Sequence, residues 1–582
     1  MELLVKNDKS IQYFLIWGVI CLLANLFCTN AAAFGGDQNY WADWVKQLAN
    51  NGFERFNGNY PPLYVFWLWI VAQVHNLANI PIEKGTLLKF FCLWPVYFGH
   101  VALVDFASRL VARFKLPKYS AHFVLAFVAL NPALLLDGPI WGQVDLFPCI
   151  FGIAALYCIN FPGKFKYASM FFALALLAKF QMILLLPIFG GIFLRRYKQS
   201  WRGLPLMAVA IVLVFLPFMV AGNLSGLLTH AYLNTTEQYP FSTYNAANTW
   251  MFFVGNTSRD VNPLFGLSPD GIGFLLSPSW LGKILFVIIS AYILKCALFA
   301  KTLRRTFELA TWEAFAFFLV LPGMHERYLI YAVPFACVWM VLETKKAWIW
   351  SLLVTAICAM NISMVNGFKG ADLWVPVSGL ALLIFIAGVV NNFAPRAFPA
   401  LIEKLARIPF PHFTPYVVLA LFLFPMLITE IIGLMPVNVE LQSNQFYLTD
   451  LAIDHYTQQY GRPRVNRAVD GATLTVRGQQ YKNGIGTHAA SEIFFKMPAD
   501  ADSLEFVVGI DDEAGGGGSV RFIVATPEET LWKSDVVFGN KKPQAGKVYI
   551  GGQQTIILKA DADGDNAYDH ADWLNVIVTK RK

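Results

Sequence analysis

The residues of this chain best suited to chemistry are a few polar groups set into otherwise apolar sequence. Asp37 lies in Gly36-Asp37-Gln38-Asn39-Tyr40-Trp41, Tyr60 in Asn59-Tyr60-Pro61-Pro62, and Asp137 and Asp145 bracket one short loop. Lys179 and Gln181 interrupt an apolar stretch, and His325-Glu326-Arg327-Tyr328 follows another. Carboxylates beside cations at the mouth of a helical bundle suit a reaction in which a base activates a hydroxyl while cations hold a phosphate leaving group. Each group also has a plainer reading. Asp37 could be a loop acid that stops the first helix, Asp137 a cap for a helix starting near Trp141, and His325-Glu326-Arg327 an ion pair at the membrane boundary. A second set lies near the C-terminus, where His488, Asp569, His570, Asp572 and Trp573 offer polar groups for sugar hydroxyls and a flat ring for a pyranose face.

These groups need elements to hold them, and composition says which. Of 582 residues, 56% are hydrophobic and 14% charged, against roughly 25% charged in soluble proteins. The charge is uneven: 33 charged residues lie from Gln442 onward and 50 in the first 441, with net charges of -3 and +10. A membrane part followed by a water-soluble part fits this, whereas disorder, a collagen-like fibre and a disulfide scaffold do not. The 8 cysteines lie in or beside apolar runs and read as small apolar residues. No nucleic-acid signature is present.

Apolar runs near residues 11–33, 87–108, 120–136, 143–161, 204–222, 275–299, 307–323, 328–343, 347–366, 374–391 and 414–436 are each about one span long. The stretch 167–194 is broken by Lys179 and Gln181, which predicts two short helices meeting at Lys179, because a lysine at bilayer depth is costly unless it faces a cavity or an end. The stretch 61–78 either spans or lies in the interface. In the interface it leaves every basic cluster on one side: Lys6 and Lys9, Arg109 to Lys118, Lys164 and Lys166, Arg195 to Arg202, Lys301 to Arg305, Lys345 and Lys346, and Arg396 to Arg407.

The expected architecture is therefore a polytopic α-helical membrane domain over residues 1–441 with about thirteen transmembrane helices, followed by a domain over 445–582. The N-terminus is expected in the cytoplasm, the C-terminal domain outside, and the chain in the plasma membrane. Ala31-Ala32-Ala33 also fits a signal-peptide cleavage site, but the preceding run is long for one and many spans follow. Trp41, Trp44, Trp67, Trp69 and Trp141 read as interfacial anchors, and Asp105 as half of a structural ion pair.

The order of motifs in the membrane part resembles the GT-C glycosyltransferases that take sugar from a polyprenyl phosphate, particularly those extending lipid-linked oligosaccharides. An acid follows the first helix (Asp37), then come Tyr60-Pro61-Pro62-Leu63, an acid ending an apolar helix (Asp137), the Lys179-Gln181-Met182 turn, and His325-Glu326-Arg327. The resemblance implies an inverting hexosyl transfer with Asp37 as catalytic base. It further implies Lys179, His325 and Arg327 as holders of the lipid phosphate, and Tyr60, Asp137, Gln181 and Glu326 as companion substrate-binding residues. The implied partners are a polyprenyl-phosphate sugar, a glycan acceptor and membrane lipid. Two departures stand out, Asn59 in place of the family's usual acid and Gly138 in place of a histidine after Asp137. Asp37, Asp137 and Asp145 could also supply ligands to a divalent metal. A flippase and a non-catalytic glycan receptor are the competing functions. No paired broken helices or inverted repeat favour the first.

The tail reads as a β-sandwich, with strands expected near 504–510, 519–525, 547–550, 555–559 and 574–578 between Gly, Asp and Asn turns. Ala468-Val469-Asp470-Gly471, Gly484-Ile485-Gly486-Thr487-His488-Ala489, Val508-Gly509-Ile510-Asp511-Asp512-Glu513 and Tyr568-Asp569-His570-Ala571-Asp572-Trp573 resemble the NPCBM carbohydrate-binding modules. That resemblance implies glycan binding. A structural calcium could use Asp511, Asp512 and Glu513, or Asp561, Asp563 and Asp565.

Overall fold

A computed structural model describes residues 8–31, 35–161, 163–233, 241–256, 258–264, 273–343, 347–365, 373–393, 439, 441–477, 479–514, 517–539, 541–564 and 566–581. The chain divides into two compact units, one helical and one built of β-sheet.

The helical unit begins with α1 (Asp8–Cys28), α2 (Gly35–Asn51), α3 (Pro62–Leu77), α4 (Thr86–Cys92), α5 (Trp94–Arg113), α6 (Lys118–Ala129), α7 (Pro132–Leu135), α8 (Leu146–Asn160), α9 (Phe165–Ala178) and α10 (Leu186–Arg195). Pro62, Pro95 and Pro187 sit in the first turns of α3, α5 and α10, where a missing N–H has no helical acceptor to lose. Between α7 and α8 the chain forms a wide π-helical turn, Leu136–Trp141, with Pro139 inside it. Gly142 ends that turn at φ 104°, a backbone region open chiefly to glycine. The break expected at Lys179 is present: α9 stops at Ala178, Lys179 is extended, and a 3₁₀ turn, Phe180–Leu185, leads into α10.

Among the described residues five helices are long and apolar enough to cross a membrane, or six if α4 and α5, bent by 51°, act as one span. The figure of about thirteen read from the sequence is not reached there, because several apolar runs fold as shorter helices. α8 has 15 residues and α9 has 14, against about 20 for one straight crossing. The run 414–436 lies outside the described residues, as do Lys6, Lys345, Lys346, Arg396, Lys404 and Arg407. α3 is 16 residues long, with Tyr64, Leu68 and His75 buried.

All eight cysteines are free, and all but Cys296 are buried. Asp105 pairs with Arg109 at 2.8 Å, one helical turn on. The reading of Trp41, Trp44 and Trp141 as interfacial anchors is corrected, because all three are buried. Trp41 and Trp44 close around Tyr60 at ring separations of 5.3 and 5.5 Å, so packing within the bundle claims them.

The second unit is a β-sandwich. One sheet runs Gln544–Tyr549, Ala501–Ile510, His570–Lys580, Gly484–His488 and Arg464–Val465, with Gln445–Tyr447 paired to the far end of His570–Lys580. The other runs Thr530–Phe538, Ser519–Ala525, Thr555–Ala562, Ser491–Lys496 and Ile453–Gln458. Their facing sides share one core, including Ile493, Phe495, Val508, Phe522, Leu558 and Trp573. A short hairpin, Thr475–Val476 with Gln479–Gln480, contributes Val476 to a smaller cluster with Leu474 and Leu574. The strands expected from the sequence all occur, most of them longer than the apolar runs that signalled them.

Candidate functional site

In the helical unit the charges converge on Asp145, wholly buried at the N-terminal end of α8. Lys179 Nζ donates to Asp145 Oδ1 in an ion pair. Tyr331 OH donates to the same oxygen at 2.9 Å. Arg327 Nε lies 3.7 Å from Asp145 Oδ2, and Arg327 Nη1 bonds Glu326 Oε1 at 2.7 Å. Lys179 Nζ also donates to the Tyr60 hydroxyl at 3.1 Å. Gln181 Nε2 reaches the Tyr328 hydroxyl at 3.4 Å, and the Arg327 guanidinium lies 5.8 Å from the Trp141 ring and 5.7 Å from that of Tyr328.

The local breaks explain why these groups meet. Extended backbone at Lys179 turns its side chain out of the α9 ladder toward the α8 terminus, and the π-helical turn buries Asp137 next to Asp145, within hydrogen-bonding reach. In a low-dielectric setting two cations and the Tyr331 hydroxyl around one carboxylate form a preorganised polar cage.

Tyr60, Asp137, Lys179, Gln181 and Arg327 are thus brought into one neighbourhood, with Glu326 tied in through Arg327. His325 lies at its edge, its ring 5.2 Å from that of Tyr328 and its Nδ1 3.9 Å from Glu326 Oε2. Asp37 is half-buried in the first turn of α2, one turn before Trp41, and that tryptophan rests on Tyr60. The reading of Asp137 as a helix cap is corrected: it sits inside the π-helical turn, with its side chain buried.

Sequence reasoning did not single out Asp145 as the hub, nor Tyr328, Tyr331 and Trp141 as its surroundings. It also passed over the segment pinned against His325. Thr243–Tyr244 pairs in parallel with Met324–His325. Asn361, buried on the Ala347–Val365 helix, donates to the Asn245 carbonyl at 2.9 Å and accepts from Ala247 N–H at 2.8 Å. Asn256, in a glycosylation-type triplet, spends both amide atoms on Asn245 at 2.7 and 2.8 Å. Asn234, in the other such triplet, lies outside the described residues.

In the β-sandwich Trp573 cannot be a sugar platform. It is 0% exposed and packs against Phe506 and Phe522 in the core. Asp569 and Asp572 are buried as well, so direct glycan contact by either is also corrected. Asp569 Oδ1 accepts from Ser519 N–H at 2.7 Å, and Asp572 lies against Asp511. Burial, then the neighbouring Asp511 charge, pushes Asp572 well above the usual carboxylate range. Asp511 is pushed up to about 7 by burial and by Glu513.

His488 and His570 do meet, with rings 5.4 Å apart. Tyr460, 52% exposed, lies 5.0 Å from His488 and 6.3 Å from His570. Tyr460, absent from the sequence-based set, is the exposed ring that Trp573 is not. Glu513 Oε1 lies 3.0 Å from His570 Nδ1 and accepts from Asp470 N–H at 3.2 Å. Burial opposes the charged form of His570, but the carboxylates of Glu513, Asp470 and Asp511 together outweigh it and raise His570 above its ordinary value. His488 is lowered, chiefly by burial.

Among the described residues one group of three side chains, Asp470, Glu513 and His570, has metal-capable atoms within 4.8 Å of one another. Several of the acids considered for calcium accept backbone hydrogen bonds or face a cation. Asp511 accepts from Thr475 N–H and Glu513 N–H, and Asp512 from Arg477 N–H, each at 2.8 Å. Asp563 faces Arg521 at 3.9 Å, and Asp565 lies outside the described residues.

The family model for the NPCBM/NEW2 domain matches residues 444–579. An alpha-1,3-galactosidase B from Akkermansia muciniphila is 38% identical over 126 residues, which cover 20% of this chain and 16% of that protein. The chain therefore spans about a sixth of this curated relative's length. A solved CBM51 from Clostridium perfringens GH95, in complex with methyl-galactose, is 31% identical and covers 23% of this chain and 99% of its own, with a TM-score of 0.22. A solved ArnT from Cupriavidus metallidurans, bound to undecaprenyl phosphate, is similar over 72% of this chain and 76% of its own, at 14% identity and a TM-score of 0.39. Through its own motifs and its match to the family model, the C-terminal unit of this chain, residues 444–579, is an NPCBM/NEW2 domain.

Proposed function

We propose that the chain is a membrane glycosyltransferase that moves a hexose from a polyprenyl phosphate to a glycan acceptor, and that its NPCBM domain binds a glycan. The observation carrying the first part is the convergence of Lys179 and Arg327 on Asp145 beneath the hydroxyls of Tyr60 and Tyr331. Buried cations of this kind suit a phosphate whose charge grows as it leaves, because fixed donors in a dry site need no reorganisation. The acceptor oxygen attacks the anomeric carbon from the face opposite the phosphate, the carbon–oxygen bond to phosphate breaks, and its electron pair leaves with the polyprenyl phosphate. The acceptor proton passes to the Asp37 carboxylate. Such a displacement inverts the anomeric carbon.

In this reading Lys179 and Arg327 hold the phosphate, Tyr60, Gln181, His325 and Glu326 shape the donor site, and Asp137 orients the acceptor or a partner side chain. The active face and the NPCBM domain lie on the non-cytoplasmic side of the plasma membrane, so tethering raises the concentration of glycan near the helical unit. Tyr460, His488 and His570 form the sugar-reading surface of that domain. The test is sugar transfer in membranes from a radiolabelled undecaprenyl-phosphate hexose, with surface glycans weighed by mass spectrometry with and without the gene. Transfer by the wild type that collapses in Asp37→Asn and Lys179→Gln supports the reading. Equal transfer with and without the gene refutes it.

A further inference from the structure

We infer that the end of the helical unit remote from the charged cage is a docking surface for the headgroup of an anionic phospholipid. Such a surface is independent of the transfer chemistry proposed above. Between Asp145 and Glu237 the chain contains no Asp or Glu, yet besides Lys179 it carries Lys164, Lys166, Arg195, Arg196, Lys198 and Arg202. Among the described residues none of these six pairs with a carboxylate. Arg109, Arg304 and Arg305, at other helix ends, face Asp105, Glu343 and Glu308 at 2.8, 3.1 and 3.0 Å.

Two loops bring the uncompensated charges together. Lys164 and Lys166 stand at the start of α9, and Arg195 to Arg202 lie at and beyond the end of α10. The second loop rests on the first: a Cβ on Gly203 would meet the Phe165 carbonyl oxygen at 2.7 Å and the Ser169 hydroxyl at 2.8 Å. The Arg196 guanidinium lies 5.4 Å from the Phe165 ring, a cation–π contact across the same junction. Lys164 and Lys166 lie 4.8 and 4.9 Å from the rings of Tyr157 and Tyr167, which supports their stems on aromatic surface.

The place of this patch in the fold identifies its occupant. The 14 residues of α9 span about 20 Å at 1.5 Å per residue, with the patch at one end and Lys179 of the cage at the other. Tyr197–Val220 is one of the helices long and apolar enough to cross a membrane, and Lys198 and Arg202 stand in its first two turns, where headgroups border hydrocarbon. Trp201 is exposed between them, as an interfacial anchor is, and Leu204, Val209, Leu213 and Leu216 are exposed farther along the same helix. Unpaired cations, an interfacial indole and an apolar flank follow one another in the order of phosphate, glycerol and acyl chain in one phospholipid. Ammonium and guanidinium groups hold a phosphodiester by charge-assisted hydrogen bonds, and a zwitterionic lipid, which brings its own cation, gains less.

The test uses the full-length protein in phosphatidylcholine vesicles containing spin-labelled phosphatidylglycerol or, as reference, spin-labelled phosphatidylcholine. Electron spin resonance reads the fraction of each held at the protein. Phosphatidylglycerol is expected to associate about fivefold more strongly than phosphatidylcholine, as one basic residue near the surface would give. Added salt should erode that preference. Lys164→Gln, Arg196→Gln and Lys198→Gln combined should remove most of it, whereas Arg304→Gln with Arg305→Gln, whose side chains already face acids, should leave it in place. p-Benzoylphenylalanine in place of Tyr197 should crosslink to phosphatidylglycerol in preference to phosphatidylcholine, which keeps the test decisive if the triple variant fails to fold. A preference indifferent to salt, one retained by the folded triple variant, one lost equally in the Arg304 and Arg305 control, or the absence of a selective crosslink would overturn the assignment. Release of the lipid by inorganic phosphate beyond that caused by chloride at equal ionic strength would make the ligand a free phosphate and overturn it as well.

Discussion

The Lys179 ammonium meets the Tyr60 hydroxyl at 3.1 Å while also lying 5.1 Å from the centre of that ring. A residue from the Tyr-Pro-Pro segment and a lysine far along the chain thus share one buried pocket, with Asp145 as the lysine's counter-ion.

From this follows an ordering of stabilities. Lys179→Gln leaves Asp145 still facing Arg327 and Tyr331, whereas Asp145→Asn leaves the buried Lys179 ammonium without its carboxylate and Arg327 with Glu326 alone. Stranding a buried charge costs about 3–5 kcal/mol. Asp145→Asn should therefore lower thermal stability in detergent more than Lys179→Gln does, although both abolish transfer. Equal melting temperatures for the two variants would contradict the hub assigned to Asp145.

Trp573 and Tyr460 should separate stability from recognition. Trp573→Ala opens the sandwich core and should cost about 3–5 kcal/mol. Tyr460→Ala removes an exposed ring and should change stability by under about 0.5 kcal/mol while weakening glycan binding by about 1 kcal/mol or more. Glycan-array binding and a melting curve for each variant read both quantities. Unaltered binding in Tyr460→Ala would remove that residue from the glycan site.

What the sequence made legible was local. A lysine inside an apolar run betrays a break because charge at depth is costly, and α9 does end beside Lys179. Asp145 gave no such signal, because its status depends on Tyr331 and Arg327, which lie 186 and 182 positions away in the chain. Trp573 misled for a different reason. Its strand is buried along both faces, one against the sandwich core and the other, through Leu574, against the Leu474–Val476 cluster. Alternation along such a strand does not tell an outward residue from an inward one. Tyr460, by contrast, lies beside a turn with no pattern around it, and only the fold brings it to His488.

Metal removal gives a further test. Asp145 Oδ1 takes the Lys179 ammonium and Oδ2 lies 3.7 Å from Arg327 Nε, which suits a carboxylate serving as counter-ion to the two cations. Sugar transfer should accordingly persist in excess EDTA. Loss of transfer in EDTA and its return with Mg²⁺ or Mn²⁺ would show that the phosphate is held by a metal.

The Asp511 and Asp572 pair sets a pH dependence for the NPCBM domain. Both carboxyls are raised in the folded state, Asp511 from 3.8 to about 7. A group raised on folding stabilises fully below its unfolded value and loses that contribution as pH climbs through the folded value. As far as this pair is concerned the domain should therefore be most stable below about pH 3.8, and weaken progressively as pH climbs from there through about 7, at about 1.36 kcal/mol per pKa unit. Asp572→Asn keeps a hydrogen-bonding partner for Asp511 but removes the like charge, so its stability should vary less over the same range. Urea denaturation of both proteins across that range measures the two slopes. A wild-type slope of opposite sign, or one unchanged by Asp572→Asn, would show that the two acids do not share one buried site.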